Sequence, residues 1–119
     1  MNLEKTRELE REFHACQKIL TAIGDEVRQK LLLLMLMENR EEIRVADLAD
    51  KTSLTRPAVS HHIQILKDAG VIKSRKRGKC VYYYFDSTCQ NVDALLRLLE
   101  NVRSIIKMMK QSETTLEEE

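Results

Sequence analysis

The stretch TRPAVSHHIQILKDAG, residues 55–70, decides how this chain is read. Thr55 is a favourable helix N-cap, Pro57 lies in the first turn, and Gly70 is the kind of residue that follows a helix C-terminus. With about 3.6 residues per turn, Ala58, Val59, Ile63, Ile65, Leu66 and Ala69 share one contiguous apolar face. Arg56, Pro57, Ser60, Gln64, Lys67 and Asp68 make the polar face, with His61 at its edge. His62 falls inside the apolar face and is read as a partly buried, hydrogen-bonded histidine. Neighbouring helical residues do not face each other, so His61 and His62 are not a metal pair. The outer face offers hydroxyl, amide, imidazole and guanidinium groups, which can meet base edges. An ordinary surface helix shows Glu and Lys more often.

Charge supplies the context. The 119-residue chain has a net charge of only +1. Residues 51–85, however, hold eight Lys/Arg against one acid, and the remainder holds twelve against eighteen. A solvated face usually mixes signs. This segregation points to a polyanion-binding surface. The length supports one domain with one modest core, over residues 1–112, and 113–119 read as an acidic, disordered tail. The opening MNLEKTRELERE is charged and is not read as a signal peptide. The run LLLLMLM (31–37) is too short for a membrane span. Cys16, Cys80 and Cys89 lack metal-site spacing and read as ordinary, partly buried thiols of a reducing cytoplasm. Cys80, beside Lys79 and near Arg77, is the most reactive candidate among them.

The remaining pattern builds outward from residues 55–70. Leu9, Phe13, Cys16, Leu20 and Ile23 predict one helix over 2–22. Gly24 breaks it, and Asp25 caps a second helix that runs to about Asn39. Nearly every position from Leu31 to Met37 is apolar, so this helix is expected to be buried almost all round. Ile43 fits a very short strand, and 45–51 a short helix. After Gly70, VIKSRKRGKCVYYYF reads as a β-hairpin with a cationic glycine turn. From about Thr88 to Gln111, Val92, Leu95, Leu99, Val102, Ile106 and Met109 form a heptad-like seam. This face is too wide for one surface: the N-terminal helix can cover part of it and a second copy the rest, the alternative being a monomer that folds this helix onto its own core. A homodimer interface is therefore expected at Leu9, Phe13, Cys16, Leu95, Leu99, Val102, Ile106 and Met109. The fold class is mainly α with a small β-hairpin: a winged helix-turn-helix dimerising through its terminal helices.

The segment VADLADKTSLTRPAVSHHIQILKDAGVIKSRKRGKCVYYYF, and VSHHIQILKDAGVI most specifically, resembles the ArsR-type family of winged-helix transcriptional repressors. The resemblance covers roughly residues 18–110. It implies a dimer that binds double-stranded operator DNA, blocks transcription and releases on a signal. It implies groove contacts from Thr55, Arg56, Ser60, His61 and Gln64, and a phosphate contact from Lys67. His62 stands between packing and phosphate contact. The wing cations are Arg75, Lys76, Arg77 and Lys79.

Two family features are missing. Where arsenic- and cadmium-sensing members have Cys-Val-Cys-Asp-Leu, this chain has Arg44-Val45-Ala46-Asp47-Leu48. Neither thiol that would grip a soft metal is there. Zinc-sensing members carry Asp-x-His and, further along the last helix, a His and an acid. Starting from Asp93, those ligand positions fall on Leu95, Ile106 and Met109. No metal, cofactor or inducer is therefore expected from a motif. An enzyme is the least favoured class, because no Gly-rich phosphate loop, nucleophile elbow or placed carboxylate pair occurs. Asp47 and Asp50 read as solubilising charges. The alternative to a DNA-binding regulator is a winged-helix interaction module whose basic face binds an acidic protein. Exposed aromatics or leucines on 55–69 would favour it.

Overall fold

A computed structural model describes residues 2–38 and 40–118, with side chains described through Lys110. The expected first helix is two helices, α1 (Leu3–Ala15) and α2 (Gln17–Ile23), separated at Cys16. Cys16 departs from helical geometry (φ −95°, ψ 4°), yet its N–H still reaches the carbonyls of Glu12 and Phe13 at 3.1 and 3.2 Å. α2 ends at Gly24, as expected. Asp25 caps α3 (Glu26–Met37), its carboxylate accepting from the Arg28 backbone N–H at 3.0 Å. That hydrogen bond holds the Asp25 carboxyl below its ordinary value. α4 (Val45–Asp50) and α5 (Arg56–Asp68) follow, then β1 (Ile72–Arg77), β2 (Cys80–Phe85) and α6 (Gln90–Glu118).

The core lies where α2, α3, α4 and α5 converge beneath α6. Leu31, Leu48, Val59, Ile63, Leu66, Ile72 and Leu98 are fully enclosed. Each large aliphatic side chain so buried stabilises the fold by about 1.5–3 kcal/mol. α1 lies along α6, tied to it by the Asn101 amide donating to the Glu12 carboxylate at 2.8 and 2.9 Å.

Three sequence expectations need correction. α3 is not buried all round. Leu31 and Met35 are in the core, but Leu33, Leu36 and Met37 are 56%, 66% and 70% exposed. Among the described residues its neighbours α2, α4 and α5 cover one side only. Second, Cys16 and Leu95, expected between subunits, are buried within the protomer itself, where the α1–α2 break and the start of α6 meet the core. Third, α6 does not stop near Gln111. Its backbone is helical through Glu118; Glu119 lies outside the described residues. No Gly or Pro interrupts 111–118, and extending a formed helix adds one hydrogen bond per residue fixed.

β1 and β2 pair antiparallel from Ile72↔Phe85 to Arg77↔Cys80. Ile43 adds a single bridge to Tyr83, with N–O distances of 2.8 and 2.9 Å, in place of the short strand expected there. Two glycines have left-handed backbones for different surroundings. Gly70 (φ +77°) ends α5, and a Cβ there would lie 2.0 Å from Asn91 Nδ2, which donates to the Ala69 carbonyl. Gly78 (φ +60°) turns the hairpin in open space.

Gly70→Ala should therefore cost about 2–4 kcal/mol, combining the left-handed strain with displacement of Asn91. Gly78→Ala should cost about 1–2 kcal/mol from strain alone. Urea denaturation of the two variants checks the order, and equal losses would contradict the Asn91 contact.

Candidate nucleic-acid interface

α5 is presented to solvent on one side and locked on the other. Thr55 caps it, its hydroxyl accepting from the Ala58 N–H at 3.3 Å. Val59, Ile63 and Leu66 are fully buried against the core. Arg56, Ser60, His61, Gln64 and Lys67 are exposed along the opposite face, with Thr55 at its head. No aromatic or leucine lies among these exposed residues. Gln64 is not free to wander, because its Nε2 donates to Asp68 Oδ1 at 2.9 Å.

The brace is α4 and its turn. Thr52 Oγ1 donates to the Ala49 carbonyl at 3.2 Å and accepts from the Leu54 N–H at 3.1 Å, closing the turn into α5. Asp47, expected to be a solubilising charge, has a structural task. Its carboxylate accepts from the Arg44 N–H at 3.3 Å at the start of α4 and pairs with Arg40 and Arg44, each at 3.5 Å. Hydrogen bonds that the Arg44 guanidinium donates to Cys80 and Asp47 raise it above its ordinary value.

His62 turns away from His61, as its place in the helix requires. Its Nδ1 lies 3.2 Å from Nη1 of Arg28. Arginine has no acceptor, so Nδ1 accepts and the neutral ring holds its proton on Nε2. Arg28 is 9% exposed. It donates from Nε to the Ala22 carbonyl at 2.7 Å and from Nη2 to the Thr21 carbonyl at 3.2 Å, and Asp25 lies 4.0 Å away. This residue was missed in the sequence reading. The available signal was its spacing: Arg28, Leu31 and Met35 follow one buried stripe.

The hairpin orders its cations by register. Lys73, Arg75 and Arg77 alternate onto one face of β1, above Tyr84 and Tyr82 on β2. The Arg75 guanidinium lies 4.5 Å from the Tyr84 ring centre, and that of Arg77 4.8 Å from Tyr82. These rings are therefore platforms for cations. Glu42 was also missed. It pairs with Arg75 at 3.5 Å and with Arg77 more closely. Lys73 pairs with Asp86 at 3.3 Å, and hydrogen bonds from the Thr88 hydroxyl and N–H hold the Asp86 carboxyl below its ordinary value. Arg56, Lys67, Lys76 and Lys79 have no acidic partner among the described residues. Of the three thiols, Cys16 is buried, Cys80 half-buried and Cys89 exposed, so only Cys80 matches the expected partial burial. Among the described residues no group of three or more His, Cys, Asp or Glu is placed to hold a metal ion, and no helix is long and apolar enough to cross a membrane.

A short helix bracing an exposed polar helix, followed by a basic two-stranded hairpin, defines a winged helix-turn-helix protein. Residues 28–74 match the family described as bacterial regulatory protein, arsR family. An uncharacterised helix-turn-helix transcriptional regulator of Methanocaldococcus jannaschii is 31% identical over 83% of this chain and 96% of its own length. The transcriptional repressor SdpR of Bacillus subtilis is 33% identical over 59% of this chain and 74% of its own. Among solved structures, a homodimeric winged helix-turn-helix DNA-binding domain from Mycobacterium bovis superposes with a TM-score of 0.58. It covers 88% of this chain and 91% of that one at 19% identity. The chain belongs to the ArsR family of bacterial regulatory proteins. It is a transcriptional regulator and not an enzyme.

Removing the Arg28 guanidinium strands two carbonyls and the His62 acceptor. Arg28→Ala should destabilise the fold by about 3–5 kcal/mol, as loss of a buried, multiply bonded charge does. Thermal unfolding checks this, and a loss under about 1 kcal/mol, the range of exposed ion pairs, would contradict the arrangement.

Proposed function

We propose that the chain is a homodimeric, sequence-specific DNA-binding repressor. The observation behind this reading is the two-sidedness of α5: an exposed face of Arg56, Ser60, His61, Gln64 and Lys67 on a helix whose other face buries Val59, Ile63 and Leu66. Thr55, Arg56, Ser60, His61 and Gln64 meet base edges in the major groove, where hydroxyls, amides and guanidinium groups discriminate base pairs. Lys67 meets phosphate. His62, with Nδ1 committed inward, offers Nε2–H to the backbone. Arg75, Lys76, Arg77 and Lys79 reach phosphates or the adjacent minor groove from the hairpin. The name of the B. subtilis relative supports the direction of regulation, since a protein seated on its operator obstructs transcription.

The dimer rests on apolar surface that one chain leaves uncovered. Phe13 on α1 and Leu96, Leu99, Ile106 and Met109 on α6 are all exposed in the protomer, with Leu9 and Val102 half-buried beside them. A continuous patch of this kind is unusual on a monomer. The M. bovis domain of the same fold is homodimeric. The signal that releases DNA does not pass through either common metal site of the family. Arg44 and Ala46 supply no thiol at α4, and Leu95, Ile106 and Met109 supply no ordinary zinc donor on α6.

Selection of bound duplexes from a random pool at moderate salt tests the proposal. The expected result is a two-fold symmetric site with half-sites about one helical turn apart. Enrichment of no sequence, with salt-sensitive bulk binding only, would favour an acidic protein as the partner. For about eight phosphates neutralised per dimer, log affinity should fall against log salt with a slope of about −7. A flat response would remove the hairpin from the contact. Leu99→Asp should yield monomers in sedimentation with the protomer still folded, because Leu99 is 53% exposed and outside the core. An unchanged mass would remove α6 from the interface.

A further inference from the structure

Beside the exposed side of α3 lies a groove of about 370 Å³. Val27, Leu31 and Leu34 line its α3 wall, Leu33 is also on the lining, and Leu54 of the helix-turn-helix turn lines the other side. Two cations border this apolar trough: Lys30 from α3 and Lys51 from the end of α4. The volume is within the range of about 300–1,000 Å³ typical of small-molecule sites, and an apolar trough with a few polar groups is their usual make-up.

The geometry points to this groove as a binding site for a single-chain amphipathic carboxylate, its alkyl chain along Leu33, Leu34 and Leu54 and its carboxylate between Lys30 and Lys51. Charge decides the class: the lining itself carries two ammonium groups and no carboxylate, so an anionic head complements it and a cationic one does not. Both lysines can turn to a ligand cheaply. The present partner of Lys30, Glu26 at 3.7 Å, is well exposed and returns to water. The partner of Lys51 is Glu38, which keeps Arg40 at 3.5 Å if Lys51 leaves. The exposed Leu33 gives an apolar chain a contact that the free protein leaves to water.

The position matters as much as the chemistry. Thr52, Ser53 and Leu54, on the groove lining, are the turn that leads into Thr55 and Arg56. A chain wedged against Leu54 therefore bears on the N-terminus of α5, and filling the groove changes DNA affinity. This last step rests on the DNA-binding reading; the site itself does not.

The test is calorimetric titration of the full chain, without DNA, with decanoate below its micellar range. Saturable binding is expected, tightening by roughly threefold per added methylene in longer homologues. Leu33→Glu should weaken it at least about tenfold, and Lys51→Gln by about threefold to tenfold, as loss of a well-placed counter-charge does. Decyltrimethylammonium, with the same tail and the opposite head, should bind at least about tenfold more weakly. No saturation at millimolar decanoate, equal binding of the cationic analogue, or indifference to Leu33→Glu would overturn the site. Decanoate should also shift affinity for the selected duplex in the wild type and not in Leu33→Glu. An unchanged duplex affinity with decanoate bound would overturn the coupling alone. Failure to select any duplex would remove the DNA reading and leave the titration to judge the groove.

Discussion

The Arg28 guanidinium holds together the parts that everything else depends on. It closes the last carbonyls of α2, starts α3 beside the Asp25 cap, and donates to His62 of α5. Three helices that share few local contacts are thereby fixed at one point. A buried cation is expensive to desolvate, and it is tolerated here because two carbonyls, an imidazole nitrogen and a nearby carboxylate surround it. The orientation of α5 follows. Its apolar residues specify that one face goes inward, and the His62 contact fixes its rotation about its own axis.

The hairpin is organised by a different principle. Its cations are clustered in sequence but not left to repel one another. Tyr82 and Tyr84 carry Arg77 and Arg75, and Glu42, from the loop between α3 and α4, pairs with both guanidinium groups. Such a surface has fixed cations in place before any partner arrives, which lowers the ordering cost of binding. Glu42 also moderates the local charge. The basic excess counted along residues 51–85 is thus larger than the field the folded surface projects, because Lys51, Lys73, Arg75 and Arg77 have acidic partners from outside that segment or at its border.

Elements defined by local chemistry were legible in the sequence. Thr55, the apolar period and Gly70 delimit α5, and Gly78 between cationic and aromatic strands defines the hairpin. Asp25 marks α3 for the same reason. The misreadings share a different cause. The break at Cys16 has no glycine or proline to announce it. In Leu31 to Met37 every residue is apolar, so periodicity cannot tell the inner face from the outer, and only the packing of α2, α4 and α5 on one side decides it. Arg28 and Glu42 act on partners 34 and 33 or more positions away, across turns whose geometry a periodic pattern does not encode. Part of the expected dimer seam was read correctly as apolar but assigned to the wrong neighbour, since Cys16 and Leu95 complete the protomer before a second chain is needed.

α3 links these observations. Its inner side supplies Arg28 to α5, and its outer side exposes Leu33, Leu36 and Met37, with Leu33 on the groove beside the turn that begins α5. Enclosing a helix on one side only costs solubility, and three large exposed apolar residues on one short helix are not explained by the core. Leu33 adjoins the turn that leads into α5. A change on the outer side of α3 has a short mechanical route: through Leu54 to the α5 cap at one end, and through Arg28 to His62 in its middle. Two contacts on the same rigid helix constrain translation and tilt together, so α5 can respond as a body. α3 thus meets α5 at two places, beside its N-cap at Leu54 and in its middle at His62.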